Sequence, residues 1–331
     1  MNDIGPLSKY RILDLTRVLA GPWASQLLGD YGAEIIKIER PGSGDDTRLW
    51  GPPWSSHNSN ENSAYFLSAN RNKKSVAIDL STNEGCELIK QLITKSDVVL
   101  ENFRTTKMEQ FGLGYEQLKK INPELIYCSI SAYGRTGSKS NLPGYDAMIQ
   151  AAGGLMSVTG ENNGSPQKVG VAIADIMAGM YAATAILSAL LNKNNKGEGQ
   201  KIDVPLYDSQ VSWMANQNMN YLIGGIVPTR LGTGHPNLVP YQSFSTKDSH
   251  FVLAIGNDNQ FAKCVNSMDL ESLATDELFM TNSSRVLNRN LLIPILSKRF
   301  LKKTTREWVE LFNEIGIPAS PVNTIEDVFN D

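Results

Sequence analysis

The chain has 331 residues, 41% of them hydrophobic and 20% charged, enough to bury a full core as one large domain with a smaller companion. A net charge of −3 and a pI near 5.8 leave no basic field for nucleic acid or an anionic membrane, although a local cluster of Arg and Lys could still hold a small anion. Cys86, Cys128 and Cys264 make neither a disulfide framework nor a C-x-x-C site, and the scattered His57, His235 and His250 make no metal site. No metal is therefore expected, and a reducing compartment is. The start MNDIGPLSKY lacks a secretory or transit pattern, and no apolar run approaches a membrane span. The expectation is a soluble intracellular protein without a membrane or nucleic-acid partner, or a mature chain whose targeting segment is absent.

In chain order, RILDLT (11–16) reads as a strand, AGPWASQLLGDYGA (20–33) as a short helix and EIIKIER (34–40) as a second strand. SVAIDL (75–80) is strand-like and runs into a helix for which Ser81 and Glu84 have capping-box spacing. DVVLENF (97–103) predicts a strand, YEQLKKIN (115–122) a helix and LIYCSISAYG (125–134) another strand. This alternation predicts an α/β fold with a Rossmann-like parallel sheet and right-handed crossovers. From 144 onward the helices are rich in Ala, Gly and Met, up to a solvated turn at 193–200. A loop (229–240), a hairpin (241–256) and further helices predict a small α+β domain over 226–331, after a large domain over 1–225. The abrupt end, SPVNTIEDVFND, predicts a fragment or a short form.

Several residues stand out chemically. LTRVLAGPWASQ has one Gly where a dinucleotide fingerprint needs three, so Glu39 after the second strand does not make a convincing ribose-binding acid. Arg17, Arg40, Arg48, Arg71, Lys73, Lys74 and Arg104 recur near strand ends, either as solvated surface charges or as guanidinium and ammonium partners for a polyanion. Asp175 is the only acid in PQKVGVAIADIMAGMYAA (166–183). It reads as the N-cap of a helix beginning at Ile176, or as a carboxylate that the helix terminus keeps ionised beside small neighbours that leave room for an acyl group. Gly232, Thr233 and Gly234, with His235, form a flexible turn by default and a candidate lid by function. Trp50 and Trp54 read as packing.

RILDLTRVLAGPWASQLLGDYGAEIIKIERPGSGDDTR, NRNKKSVAIDL, DVVLENF, FGLGYEQLKKINPELIYCSISAYGRTG and PGYDAMIQAAGGLMSVTG followed by GVAIADIMAGMYAATAIL together resemble the class III CoA-transferase family. Within it, GDDTRLWGPP, NRNKKS, NYLIGG and VPYQSFSTKD are similar to the branch that moves CoA from succinyl-CoA to glutarate. The resemblance implies an interlocked homodimer, coenzyme A as co-substrate with no permanent cofactor, acyl-CoA and carboxylic acid substrates, and a mitochondrial location if the source is eukaryotic or a cytoplasmic one otherwise. It places the family's nucleophile on Asp175. It places CoA contacts on Val18, Ala20, Arg40, Asn72, Lys73 and Lys74, gives the basic cluster that includes Arg104 a phosphate-binding role, and sets Tyr145 and Asp146 near the acyl group. Arg230 and His235 are candidate partners for a dicarboxylate's distal charge.

Leu19 and Pro143 replace a Gln and a basic residue of the formyl-CoA branch, which argues against a formyl/oxalyl pair. Racemases of the family present a His in GHD, where this chain has Tyr145 in PGYDA, and a phenol titrating near 10 is a poor base at neutral pH. Transfer is therefore expected over racemisation. A third reading is a truncated, non-catalytic CoA-binding form, motivated by the early chain end.

Overall fold

A computed structural model describes residues 5–55 and 62–331, so His57 lies outside the described residues. The chain divides into two compact units, one of Met1–Met156 with Lys168–Leu222, the other of Ser157–Gln167 with Ile223–Asp331.

The elements up to residue 224 are, in order, β1 (Arg11–Asp14), α1 (Ala20–Asp30), β2 (Glu34–Glu39), α2 (Ala64–Ser68), β3 (Lys73–Ala77), α3 (Asn83–Ile93), β4 (Val98–Glu101), α4 (Lys107–Gln110), α5 (Tyr115–Ile121), β5 (Ile126–Ser131), α6 (Asp146–Ala152), α7 (Leu155–Val158), α8 (Ile173–Lys196), β6 (Lys201–Pro205), α9 (Leu206–Trp213) and α10 (Ala215–Gly224). The six strands pair in the order β3-β2-β1-β4-β5-β6, all parallel. Alternation along each strand builds two cores. Ile12, Val98, Leu100, Ile126 and Cys128 pack with α1 and α8, while Leu13, Val99 and Tyr127 pack with α3 and α5. The order reverses between β1 and β4, so the loops leaving those strands diverge and open a crevice at the carboxyl edge.

Some local expectations change. The α3 cap is Thr82, whose Oγ1 accepts from Gly85 N at 3.0 Å; Ser81 instead turns back to Asp79. β3 begins two residues earlier than SVAIDL suggests, at Lys73. β6 had no strand expectation, yet KIDVP alternates exposed and buried and pairs with β5. Contrary to the expectation drawn from apolar runs, α8 is long and apolar enough to cross a membrane by length and composition. Half of its apolar stretch is buried, and it packs on α1, β5 and β6, as a core helix does.

The second unit has β7 (Tyr241–Ser245), β8 (His250–Ala254), α11 (Asp258–Asn266), α12 (Ser272–Thr275), α13 (Asn282–Leu287), α14 (Arg289–Phe300), α15 (Thr305–Glu314), β9 (Ala319–Pro321) and α16 (Ile325–Asn330). β7 and β8 form the expected antiparallel hairpin, extended by β9. Its core is an aromatic cluster of Phe244, Phe251, Phe300, Trp308 and Phe312, with the Trp308 indole N–H donating to Phe300 O at 2.7 Å.

Candidate active site

α8 begins at Ile173, three residues before the expected start, so Asp175 is its third residue and not its N-cap. Ala172 stands at the cap and offers no side-chain acceptor. Asp146, the first residue of α6, takes that role: its Oδ1 accepts from Ala174 N at 2.8 Å and Asp175 N at 3.4 Å. Its Oδ2 accepts from Gln150 Nε2 at 2.7 Å, and Gln150 Oε1 accepts from Val169 N at 2.9 Å.

Asp175 is thereby left without a hydrogen bond to its own carboxylate among the described residues, although only 8% of it is exposed. Burial first, and then the charge of Asp146, push its pKa up to about 7. The expectation that the helix end holds it ionised is therefore corrected, because Asp146 occupies the donors that would do so. An acid desolvated and unpaired has a strong basicity in reserve, and its carboxylate lines a cavity.

That cavity, of about 590 Å³, lies at the carboxyl edge of the sheet. The loops after β1, β2, β3, β4 and β5 wall it, with Val18, Ala20, Arg40, Arg104, Tyr145 and Asp175 all among its lining. Val18 sits at φ 71°, a left-handed backbone that a β-branched residue rarely adopts. The turn is clamped: Asn102 Oδ1 accepts from Arg17 N at 3.0 Å, Asn102 Nδ2 donates to Arg17 O at 2.8 Å, and Asp45 Oδ1 accepts from Val18 N at 3.3 Å. Gly179 lets α8 approach closely, since a Cβ there would stand 2.6 Å from Ala20 O.

The basic residues separate into two groups. Arg17 pairs with Asp46, Arg48 with Glu39, Arg71 with Asp30, Lys73 with Asp14 and Lys74 with Glu34. The Lys73 side chain is buried, and its ammonium also donates to Pro22 O at 2.9 Å, so it ties β3 to α1; Asn72 donates to Asp30. Asn72, Lys73 and Lys74 are not among the cavity-lining residues. Arg40 and Arg104 remain, exposed and without an ion pair among the described residues, and Lys107 joins them with its ammonium over the Phe111 ring. Reading the sequence missed Lys107, Asn102 and Asp45. Their position just beyond the ends of β2 and β4 was the available signal.

Gly232, Thr233, Gly234 and His235 belong to the second unit. Gly232 has φ 59° and its N–H donates to Gly160 O at 2.9 Å; Thr233 Oγ1 accepts from Ser243 N at 2.9 Å. The Arg289 guanidinium donates to His235 O and Pro236 O, and Arg230 donates to Gly164 O at 2.9 Å. His235 stacks on Tyr241, and its Nδ1 accepts from Asn237 N at 3.0 Å. Burial and then Arg289 hold its pKa below the ordinary histidine value, so a neutral imidazole, poorly suited to pairing a carboxylate, is the expected form. Trp50 meets Tyr65 edge-on, and both Trp50 and Trp54 keep a large exposed face.

Comparison with known proteins converges on one family. The model described as CoA-transferase family III matches residues 7–331. The succinate–glutarate CoA-transferase of Agrobacterium fabrum is 46% identical, over 98% of this chain and 82% of its own length. Human succinyl-CoA:glutarate CoA-transferase is 47% identical, over 99% of this chain and 74% of its own. Among solved structures, a CaiB/BaiF family protein from Brucella suis has a TM-score of 0.88 at 47% identity, covering 99% of this chain and 86% of the other.

Proposed function

The chain belongs to CoA-transferase family III, and from that premise we propose that it moves CoA from succinyl-CoA to glutarate or a similar dicarboxylate, with Asp175 as the nucleophile. The observation that carries the nucleophile is the unpaired, buried carboxylate facing a cavity whose wall also bears unpaired basic groups. The substrate pair is supported by the names of the relatives at 46% and 47% identity.

An Asp175 oxygen attacks the thioester carbonyl, the C–S bond breaks, and a mixed anhydride and CoA thiolate result. The thiolate attacks the aspartyl carbonyl, which expels the donor carboxylate and leaves an aspartyl thioester. The acceptor carboxylate displaces CoA from that thioester to form a second anhydride. CoA thiolate then attacks the acceptor's acyl carbon, frees Asp175 and yields the new acyl-CoA. No proton is gained or lost over the cycle. Arg40, Arg104 and Lys107 supply the positive charge for the phosphates of CoA, and the clamped turn at Val18 and Ala20 forms wall beside the thioester.

A homodimer is part of the same reading. α10 has no buried residue, and Tyr221, Leu222 and Ile223 on it are exposed apolar surface that a second copy would cover.

The test is acyl exchange followed by mass spectrometry, with succinyl-CoA and glutarate supplied to the parent and to Asp175→Ala. Glutaryl-CoA formed by the parent and absent with the variant is the expected result. Product from another acid only would discard the dicarboxylate pair, and product from the variant would discard the nucleophile.

A further inference from the structure

We propose that Asp146 is a positioning residue for the transfer: its carboxylate, braced by Gln150, fixes the first turn of α8 and keeps Asp175 presented to the cavity. The inference rests on the reading of Asp175 as nucleophile and adds to it the device that holds that nucleophile in its reactive state.

Two carboxylates stand at one helix end, and the hydrogen bonds are unequally shared. Asp146 takes both Ala174 N and Asp175 N on one oxygen and Gln150 on the other. Gln150 is fully buried and spends its own oxygen on Val169 N, the segment that leads into α8. α6 and the entrance to α8, 28 residues apart in sequence at the Ala174 bond, are thus joined through one acid–amide pair.

Remove that acid and two N–H groups at the positive end of a helix lose their acceptor. The nearest replacement is Asp175 itself, on the third position, where a short acidic side chain can reach back to its own first turn. Self-capped, Asp175 would be stabilised as an anion and drawn away from the cavity. Asp146 prevents both. Its charge also leaves ionised Asp175 poorly compensated, a repulsion that vanishes once Asp175 is acylated and neutral, so formation of the anhydride relieves it.

The effect of pH on this pair involves few groups. Among the described residues, Asp146 on α6 is the one charge that acts on Asp175. Tyr65 on α2 lies within reach of both acids, with a phenol raised by burial and then by Asp175 and Asp146. Asp30 on α1, Tyr127 and Cys128 on β5, Lys201 and Asp203 on β6, and Tyr207 and Asp208 on α9, the other elements packed against α8, add no charge effect on Asp175.

The experiment measures succinyl-CoA-to-glutarate transfer between about pH 5 and 9 for the full chain and for Asp146→Ala, Asp146→Asn and Asp175→Ala, with circular dichroism of each. Asp146→Ala is expected to lower kcat about tenfold or more while the acyl-CoA KM stays within about twofold, and to move the onset of activity to lower pH. Asp146→Asn keeps an oxygen for the two backbone donors but not the charge, so it should recover much of kcat and retain the acid-ward shift. Parent kcat and parent onset in both would overturn the proposal. Should the alanine variant not fold, a folded asparagine variant with the parent onset would overturn it alone. Transfer surviving in Asp175→Ala would sink the nucleophile reading itself. A dead Asp175→Ala beside unaltered Asp146 variants sinks only the positioning role.

Discussion

A carboxylate that burial and Asp146 push up to about 7 is one the folded chain holds more easily uncharged. Between its ordinary value of 3.8 and about 7 the folded state binds more protons at Asp175 than the unfolded state does. Stability from this group therefore falls as pH rises through that window. Asp175→Asn should consequently be more stable than the parent at pH 8, by roughly 1–4 kcal/mol and so with a higher melting temperature, and match it below about pH 4. A variant that melted lower at pH 8 would show that the side chain is held for stability rather than for chemistry. Transfer runs the other way: it needs the ionised form and should rise with pH through about 7 in the parent. Val18 offers a second case. Its left-handed backbone is strained for a branched side chain, so Val18→Gly should leave the melting temperature unchanged or raise it, whereas substitution at a relaxed strand position such as Val99 should lower it.

Among elements, the seam between α1 and α8 places the first turn beside the nucleophile. Gly179→Ala gains about 1 kcal/mol of helix propensity, yet its Cβ would press on Ala20 O and on Trp23. A net loss of about 1–3 kcal/mol with a raised acyl-CoA KM is expected, and calorimetry with steady-state kinetics checks it. Helices and central strands were legible because β1, β4 and β5 each hold a short apolar stretch (Ile12–Leu13, Val98–Leu100, Ile126–Cys128) and α3 carries a helical period. β6 escaped notice because KIDVP is short, half exposed and ends in proline. The place of Asp175 within α8 was misread by three residues, since its cap comes from Asp146 on another helix, and local sequence does not announce an acceptor 28 positions away. Local sequence does not separate the basic residues for the same reason: Lys73 and Lys74 are as cationic in sequence as Arg40 and Arg104, but Asp14 on β1 and Glu34 on β2 pair with them.

For the molecule as a whole, buried acids of opposite tendency set the response to pH. Burial would raise Asp14, but Lys73 and Lys37 with the hydroxyls of Ser25 and Thr16 outweigh it and hold the group at about 2. Burial is likewise outweighed at Glu39 by the Arg48 fork, Ser75 and the Asp45 N–H, which also leave it at about 2. These groups bind fewer protons folded than unfolded, so their stabilisation is present above the ordinary carboxylate range and is lost as pH falls toward about 2. With Asp175, and Glu101 whose carboxyl burial also raises, declining on the other side, the melting temperature should peak at mildly acidic pH, and Asp175→Asn should lessen the decline toward neutrality; melts across pH would contradict this by a plateau in the parent up to pH 8. One cavity also joins exposed cations without an ion pair among the described residues, Arg40, Arg104 and Lys107, to a carboxylate largely closed off from solvent. Dissolved electrolyte reaches the first and not the second, because mobile ions screen exposed charges over about 10 Å at 0.1 M and buried ones far less. Ionic strength is thus a dial that turns capture of the nucleotide end of CoA while leaving bond-making untouched, so a turnover rate indifferent to added salt beside a steadily rising KM would be the signature of an enzyme that grips its substrate at one end and reacts with it at the other.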